Sequence, residues 1–286
     1  MTTKKDPPAP KSRRSADATS EGLYLQSITD DLMGWDDPRV KLARALQEDQ
    51  FLLFAQKILA IKRGAPDSLC YEILLRLQEE EDHMLPPGGF IPVAEHYDMM
   101  EDIDRWVVRN LISWCIDKQR ASPDWRVPLF CVNLSGAAVG NPEFAEFVRQ
   151  ELTRPGMAAN RLCFEISEPD IVSQHENMQR LIAALKPAGC RFTIDSFGSV
   201  KVSFSYLKGL AIDFLKIDGV IIQNILKDPS ELAKVKAIGA ACQNIGVRTI
   251  AEFVESRETL DKLRELGVDY VQGFGIARPG PITELA

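Results

Sequence analysis

Two hydrophobic periods alternate along most of the chain. Short apolar runs fall at 51–61 (FLLFAQKILAI), 70–77 (CYEILLRL), 128–134 (PLFCVNL), 162–168 (LCFEISE), 191–197 (RFTIDSF), 213–218 (DFLKID), 248–254 (RTIAEFV) and 269–274 (DYVQGF). Rich in Phe, Ile, Leu and Val and bounded by turn residues, they read as eight strands. Between them, apolar residues recur at helical spacing over 38–48, 102–119, 142–153, 173–187, 229–245 and 256–266. Pro142 suits a first helical turn, and Gly189, Gly246 and Gly267 stand where helix C-caps close the gaps. Strands alternating with helices imply a parallel sheet. Their count, and the lack of a GxGxxG after the first strand, predict an α/β fold of the (β/α)8 TIM-like barrel type. Chemistry then belongs at the C-terminal strand ends.

Residues 1–21 carry Pro, Ser, Thr, Ala and charge, and read as a disordered basic tail. Residues 22–37 form a linker with a short helical pattern at Leu23, Leu25, Ile28 and Leu32, leaving 38–286 as a single barrel domain. The tail has no apolar core of a secretory signal, and no apolar run reaches the roughly 18 residues of a membrane span. Charge separates the two parts. Residues 1–20 hold five basic and two acidic side chains, so the remainder carries −10, the total of −7 less that +3. An acidic body offers no footprint for duplex nucleic acid. Six scattered cysteines (70, 115, 131, 163, 190, 242) without a CxxC read as reduced, buried thiols of a cytoplasmic protein. His83, His96 and His175 have no ligand spacing, which excludes a His-rich zinc site.

The strands carry polar residues among apolar neighbours: Glu72, Asn133, Glu165, Asp195, Lys216, Glu252 and Gln272. Any one alone reads as a paired or solvated strand end. Together they put four carboxylates and a lysine on one rim, and buried carboxylates are costly unless paired or bound to metal. An oxygen-only ligand set suits Mg²⁺ or Mn²⁺. Two cations on such a rim suit phosphate-ester hydrolysis.

Over residues 40–286 the sequence resembles the EAL domain, the bacterial domain that hydrolyses cyclic di-GMP. The signature is Glu72-Ile73-Leu74, continuing Leu75-Arg76. FIPVAE (90–95), VNLS (132–135), FEISE (164–168), LKID (215–218), AEFVE (251–255) and QGFGIARP (272–279) follow in family order. The resemblance implies a phosphodiesterase that opens cyclic di-GMP to linear pGpG with Mg²⁺ or Mn²⁺, inhibited by Ca²⁺, in a homodimer. It implies that Glu72, Asn133, Glu165 and Asp195 hold the cations and that Glu252 is a further ligand or the base. Lys216 would position the attacking water, with Gln272 near the reacting phosphate. Arg76 would contact a substrate phosphate, Gln56 would face the ligand, and Glu255 would anchor the loop after 191–197.

The main departure is Ser196. The family has Asp-Asp-Phe-Gly-Thr-Gly where this chain reads Asp195-Ser196-Phe197-Gly198-Ser199-Val200. A neutral hydroxyl is a poor ligand for a hard dication. Val200 replaces a glycine in a loop that, in the family, couples dimerisation to metal binding. Ile73, Lys57 and Phe253 stand where the family commonly has Ala, Pro and Gly. Ile73 is expected to face outward; Phe253 is expected to pack under the rim, with stacking on a guanine as the other reading. The retained polar set favours a weakened enzyme. Ser196 and the altered loop favour the alternative, a degenerate cyclic di-GMP receptor or protein-interaction module.

Overall fold

A computed structural model describes residues 35, 37–65, 70–78, 84–155, 158–198, 204–207 and 209–285. The expectations for the tail, for most of the 22–37 linker, and for Ser199, Val200 and Lys201 lie outside the described residues. Helix α1 (Pro38–Gln47) starts the barrel domain where the periodicity put it. Asp37 caps it, accepting the Val40 N–H at 3.1 Å, with Pro38 in the first turn.

Eight strands close the barrel in the order β1 (Phe51–Ala60), β2 (Cys70–Gln78), β4 (Leu129–Leu134), β5 (Leu162–Ser167), β6 (Arg191–Phe197), β7 (Phe214–Ile217), β8 (Arg248–Ala251) and β9 (Tyr270–Val271), with β9 returning to β1. From β2 to β9 the neighbours are parallel. One expectation is corrected here: β1 runs antiparallel to both β2 and β9. Only residues 61–69 join β1 to β2. A parallel return needs a crossover of a dozen or more residues.

Both strands overshoot the barrel. Phe51–Phe54 pair with Leu74–Leu77, and two short strands, β3 (Met84–Leu85) and β10 (Gly280–Pro281), pair with their free edges. This flap stands above the C-terminal mouth, so Glu72, near the start of β2, lies at the rim. Helices α2 (Pro87–His96), α3 (Met100–Ala121), α4 (Gly136–Gly140), α5 (Pro142–Leu152), α6 (Glu168–Ser173), α7 (His175–Leu185), α8 (Gly219–Asn224), α9 (Pro229–Ile245) and α10 (Arg257–Glu265) fill the connections. Gly189, Gly246 and Gly267 all have positive φ, as C-capping requires.

Alternate strand residues serve two cores. Outward side chains such as Phe130, Phe164, Phe192, Ile194 and Leu215 join the helices in the main core, with Ile73 among them as expected. Each buried phenylalanine contributes about 1.5–3 kcal/mol. Inward side chains Ile58, Cys70, Leu129, Cys131, Cys163, Phe214, Ile250 and Tyr270 form a separate floor inside the barrel. All six cysteines are buried free thiols, as expected. Among the described residues no helix is long and apolar enough to cross a membrane.

Candidate active site

The rim stands one pleat above the floor. Side chains two residues apart share a strand face, so Cys70 lies below Glu72, Cys131 below Asn133, Cys163 below Glu165 and Thr193 below Asp195. Phe214 underlies Lys216, Ile250 underlies Glu252, and Tyr270 underlies Gln272. On antiparallel β1 the order reverses, and Ile58 lies below Gln56, which pairs with Glu72. Eight strands thus bring all eight predicted rim residues to one mouth.

Lys216 sits at the centre, 1% exposed. Its Nζ lies 2.9 Å from Glu165 Oε2, 3.0 Å from Glu72 Oε2, and 3.4 Å from both Asp195 Oδ1 and Glu252 Oε1. Glu72 is the best-served carboxylate. It accepts from Asn133 Nδ2 and Gln272 Nε2, each at 2.7 Å, as well as from Lys216. Gln272 Nε2 also donates to Gln56 Oε1 at 3.0 Å, and Gln56 Nε2 donates to the Ala277 carbonyl. Burial raises Glu72, but Lys216 and these donors outweigh it, and its carboxyl ends below the usual range. Glu165 goes the other way. Burial, joined by repulsion from Glu72 and Asp195, overrides Lys216 and drives it well up. Burial also pushes Glu252 up to about 8. Burial opposes the Lys216 charge, yet the surrounding carboxylates raise its pKa further.

The rim is short of donors. Both Glu165 carboxylate oxygens, Asp195 Oδ1 and Gln272 Oε1 are buried without an aligned hydrogen bond. Native proteins leave few such atoms. Among the described residues no three His, Cys, Asp or Glu side chains are gathered closely enough to chelate an ion as they stand, and the Lys216 ammonium lies among the four carboxylates. The donor set itself, carboxylate and amide oxygens, fits a hard dication.

Ser196 does more than omit a carboxylate. Its φ is +54°, in the left-handed region, and the β6–β7 register shifts between Ile194 and Phe197. Its hydroxyl donates to Asp195 Oδ2 at 3.1 Å, occupying one face of a candidate ligand. Phe253, directly after Glu252, also has a positive φ of +50°. Its ring lies against Gly219, where a Cβ would stand 1.8 Å from Phe253 Cδ2, yet 56% of the residue is exposed. The packing expectation is therefore met on one face only. Phe253, Phe274, Leu74 and Glu255 complete the wall of a cavity of about 280 Å³ over Glu72, Glu252 and Gln272. Gly273 and Gly275 are required by close approach to the Val254–Glu255 backbone. Across Leu74, a larger cavity of about 530 Å³ runs past Asn133 and Ser135 to Asp104 on α3.

Two of the expected site residues stand outside the carboxylate ring. Arg76 shares the Glu72 face of β2 but stands on the flap, its guanidinium over the Phe54 ring and its Nη1 donating to the Leu75 carbonyl. Glu255 is exposed and lines the small cavity, and most of the loop after β6 that it is expected to anchor lies outside the described residues. Among the described residues that loop is held by Glu168, which accepts the Gly198 N–H at 2.8 Å and the Tyr206 hydroxyl. Glu168 stands in FEISE, just after the Ser167 helix cap, a position that sequence reading passed over. Asp104 was also missed. It is buried, accepts from the Ser135 N–H and hydroxyl, and burial pushes it up to about 7. A lone acid inside the apolar face of 102–119 was its signal.

An α/β barrel with a lysine-centred acidic mouth defines a class in which rim residues, not the scaffold, set the chemistry. Comparison with known proteins narrows the class. The family model of the EAL domain matches residues 39–279, and the chain belongs to that family. It is 32% identical over 244 residues to the cyclic di-GMP phosphodiesterase PdeB of Shewanella oneidensis, covering 85% of this chain and 28% of that protein. It is 31% identical over 262 residues to the Escherichia coli cyclic di-GMP phosphodiesterase PdeF, covering 92% and 34%. The chain thus spans about a third of the length of these relatives. Among solved structures, the FimX EAL domain of Pseudomonas aeruginosa bound to c-di-GMP superposes with a TM-score of 0.78 at 29% identity, covering 85% of this chain and 96% of that one. The PaMucR phosphodiesterase in complex with c-di-GMP gives 0.76 at 28%, covering 87% and 99%.

Proposed function

We propose that this chain binds cyclic di-GMP across the barrel mouth and hydrolyses one phosphodiester to give linear pGpG, with Mg²⁺ or Mn²⁺ as cofactor. The observation that carries the reading is four rim carboxylates gathered on one ammonium, with the buried Glu165 Oε1 left without a donor. Glu72, Asn133, Glu165 and Asp195 would hold a cation, with Glu252 as a further ligand or base. A cation there supplies Lewis acidity and neutralises charge on the phosphoryl oxygens. Water adds to phosphorus, the bond to the 3′ oxygen breaks, and that oxygen leaves with a proton. Glu252, on the rim 3.4 Å from Lys216 Nζ, would take the proton of the attacking water. Lys216 orients that water and offsets the charge of the carboxylates. Gln272 lies near the reacting phosphate, its amide N–H groups donating to Gln56 and Glu72 and its Oε1 left to accept from the attacking water. Arg76 reaches a ligand phosphate from the flap, and the exposed faces of Phe253 and Phe274 offer a stacking surface for a base. The protein acts in the cytoplasm as a homodimer in this reading.

One observation favours a second reading, a receptor that binds without turnover: the Ser196 hydroxyl engages Asp195 where the family has a second carboxylate. The purified chain is assayed for pGpG formation in Mg²⁺, Mn²⁺ or Ca²⁺, alongside a binding titration. Turnover in Mg²⁺ or Mn²⁺, suppressed in Ca²⁺, is expected. Tight binding with no product under any cation would leave the receptor.

A further inference from the structure

We infer that Lys216 is a built-in counter-cation that holds the rim carboxylates together while no metal is bound and competes with the first divalent cation for them. The inference rests on the reading of the rim as a cation site. Nζ lies 2.9–3.4 Å from oxygens of Glu72, Glu165, Asp195 and Glu252. A hard dication must approach the same oxygens to about 2.0–2.6 Å. It would then stand within a few ångströms of the ammonium, where like charges repel strongly even at an effective dielectric of about 20.

Beneath Lys216 lies the apolar floor of Phe214, Ile250 and Tyr270, and the residue is 1% exposed, so drawing the ammonium away from the carboxylates would leave its charge among apolar side chains. Fully ionised, as a bound dication would require, the four carboxylates against one ammonium leave a formal −3. Ser196 adds nothing to it, being neutral. The ammonium therefore sets an upper limit on metal affinity in exchange for a stable metal-free barrel.

The test uses the full chain, Mn²⁺ alone as probe, and no substrate. Calorimetric Mn²⁺ affinity and thermal midpoints with EDTA or Mn²⁺ are measured for wild type, Lys216→Met and Lys216→Arg. Lys216→Met should bind Mn²⁺ at least tenfold more tightly than wild type. Its midpoint in EDTA should be lower, and Mn²⁺ should raise that midpoint further than it does in wild type. Lys216→Arg, which keeps the charge, should bind no more tightly than wild type. If Lys216→Met is unfolded in EDTA, Mn²⁺ should refold it; a chain still unfolded in saturating Mn²⁺ would overturn the inference. Equal or weaker Mn²⁺ affinity in Lys216→Met overturns the competition while leaving the cation site intact. No Mn²⁺ binding to any of the three overturns the cation site itself.

Discussion

The floor and the rim of this barrel come from the same eight strands, one pleat apart, and obey opposite rules. Ile58, Cys70, Leu129, Cys131, Cys163, Phe214, Ile250 and Tyr270 bury apolar surface. Two of the floor's polar groups pair with each other, Cys163 Sγ with Thr193 Oγ1 at 3.1 Å. Above it, carboxylates crowd one ammonium and several buried oxygens go without donors. The two layers share strands and closure, so the contrast isolates side-chain chemistry. The floor follows packing; the rim gives up stability, as functional sites do.

A floor substitution should cost stability. Phe214→Ala removes a side chain 1% exposed and should destabilise by about 3–5 kcal/mol. Urea unfolding checks it, and a loss under 1 kcal/mol would mean the floor is loosely packed.

Asp104 is a buried carboxylate outside both layers. Its folded pKa of about 7 lies above its ordinary value of 3.8, so the native state holds the proton more tightly than the unfolded chain. That contribution is full below about pH 4 and is lost as pH rises through 7. The loss is on the order of 4 kcal/mol. Asp104→Asn should flatten the fall in unfolding free energy between pH 4.5 and 7.5. An unchanged slope would show that other groups produce it.

The rim should gain from an added carboxylate. Ser196→Asp frees Asp195 Oδ2 from the serine hydroxyl and suits the positive φ, which Asp adopts more readily than Ser. Turnover should rise roughly one to three decades, each decade corresponding to 1.36 kcal/mol of barrier. Lys216→Ala in that background should remove the gain. Zero turnover in both wild type and Ser196→Asp would assign the chain to the receptor reading. The smallest effect is expected at Phe253. Phe253→Ala should weaken cyclic di-GMP binding by about 0.5–1.5 kcal/mol, the scale of an aromatic pair, and unchanged affinity would confine its ring to packing on Gly219.

The floor and rim differ in how they are written in the sequence. The parallel strands announced themselves by apolar runs, and the rim residues by being polar within them. The antiparallel course of β1 was hidden, because periodicity carries no direction; only the shortness of 61–69 hinted at it. The flap above the mouth was hidden for a related reason, since FLLFAQKILAI reads as one strand whether or not half of it leaves the barrel. Glu168 escaped because its partners, Gly198 and Tyr206, are 30 or more residues away. The left-handed backbone at Ser196 and Phe253 follows from tertiary closure of the mouth, which no local residue preference signals.

Glu165→Gln sets the two layers against each other most directly, with unfolding free energy in EDTA and Mn²⁺ affinity measured on the same preparation. Glu165 is buried, its pKa is driven up, and its oxygens lack aligned donors. The account predicts unchanged or higher stability together with loss of Mn²⁺ binding. A fall of several kcal/mol in stability with Mn²⁺ binding intact would contradict it, making the rim a structural ion-pair network.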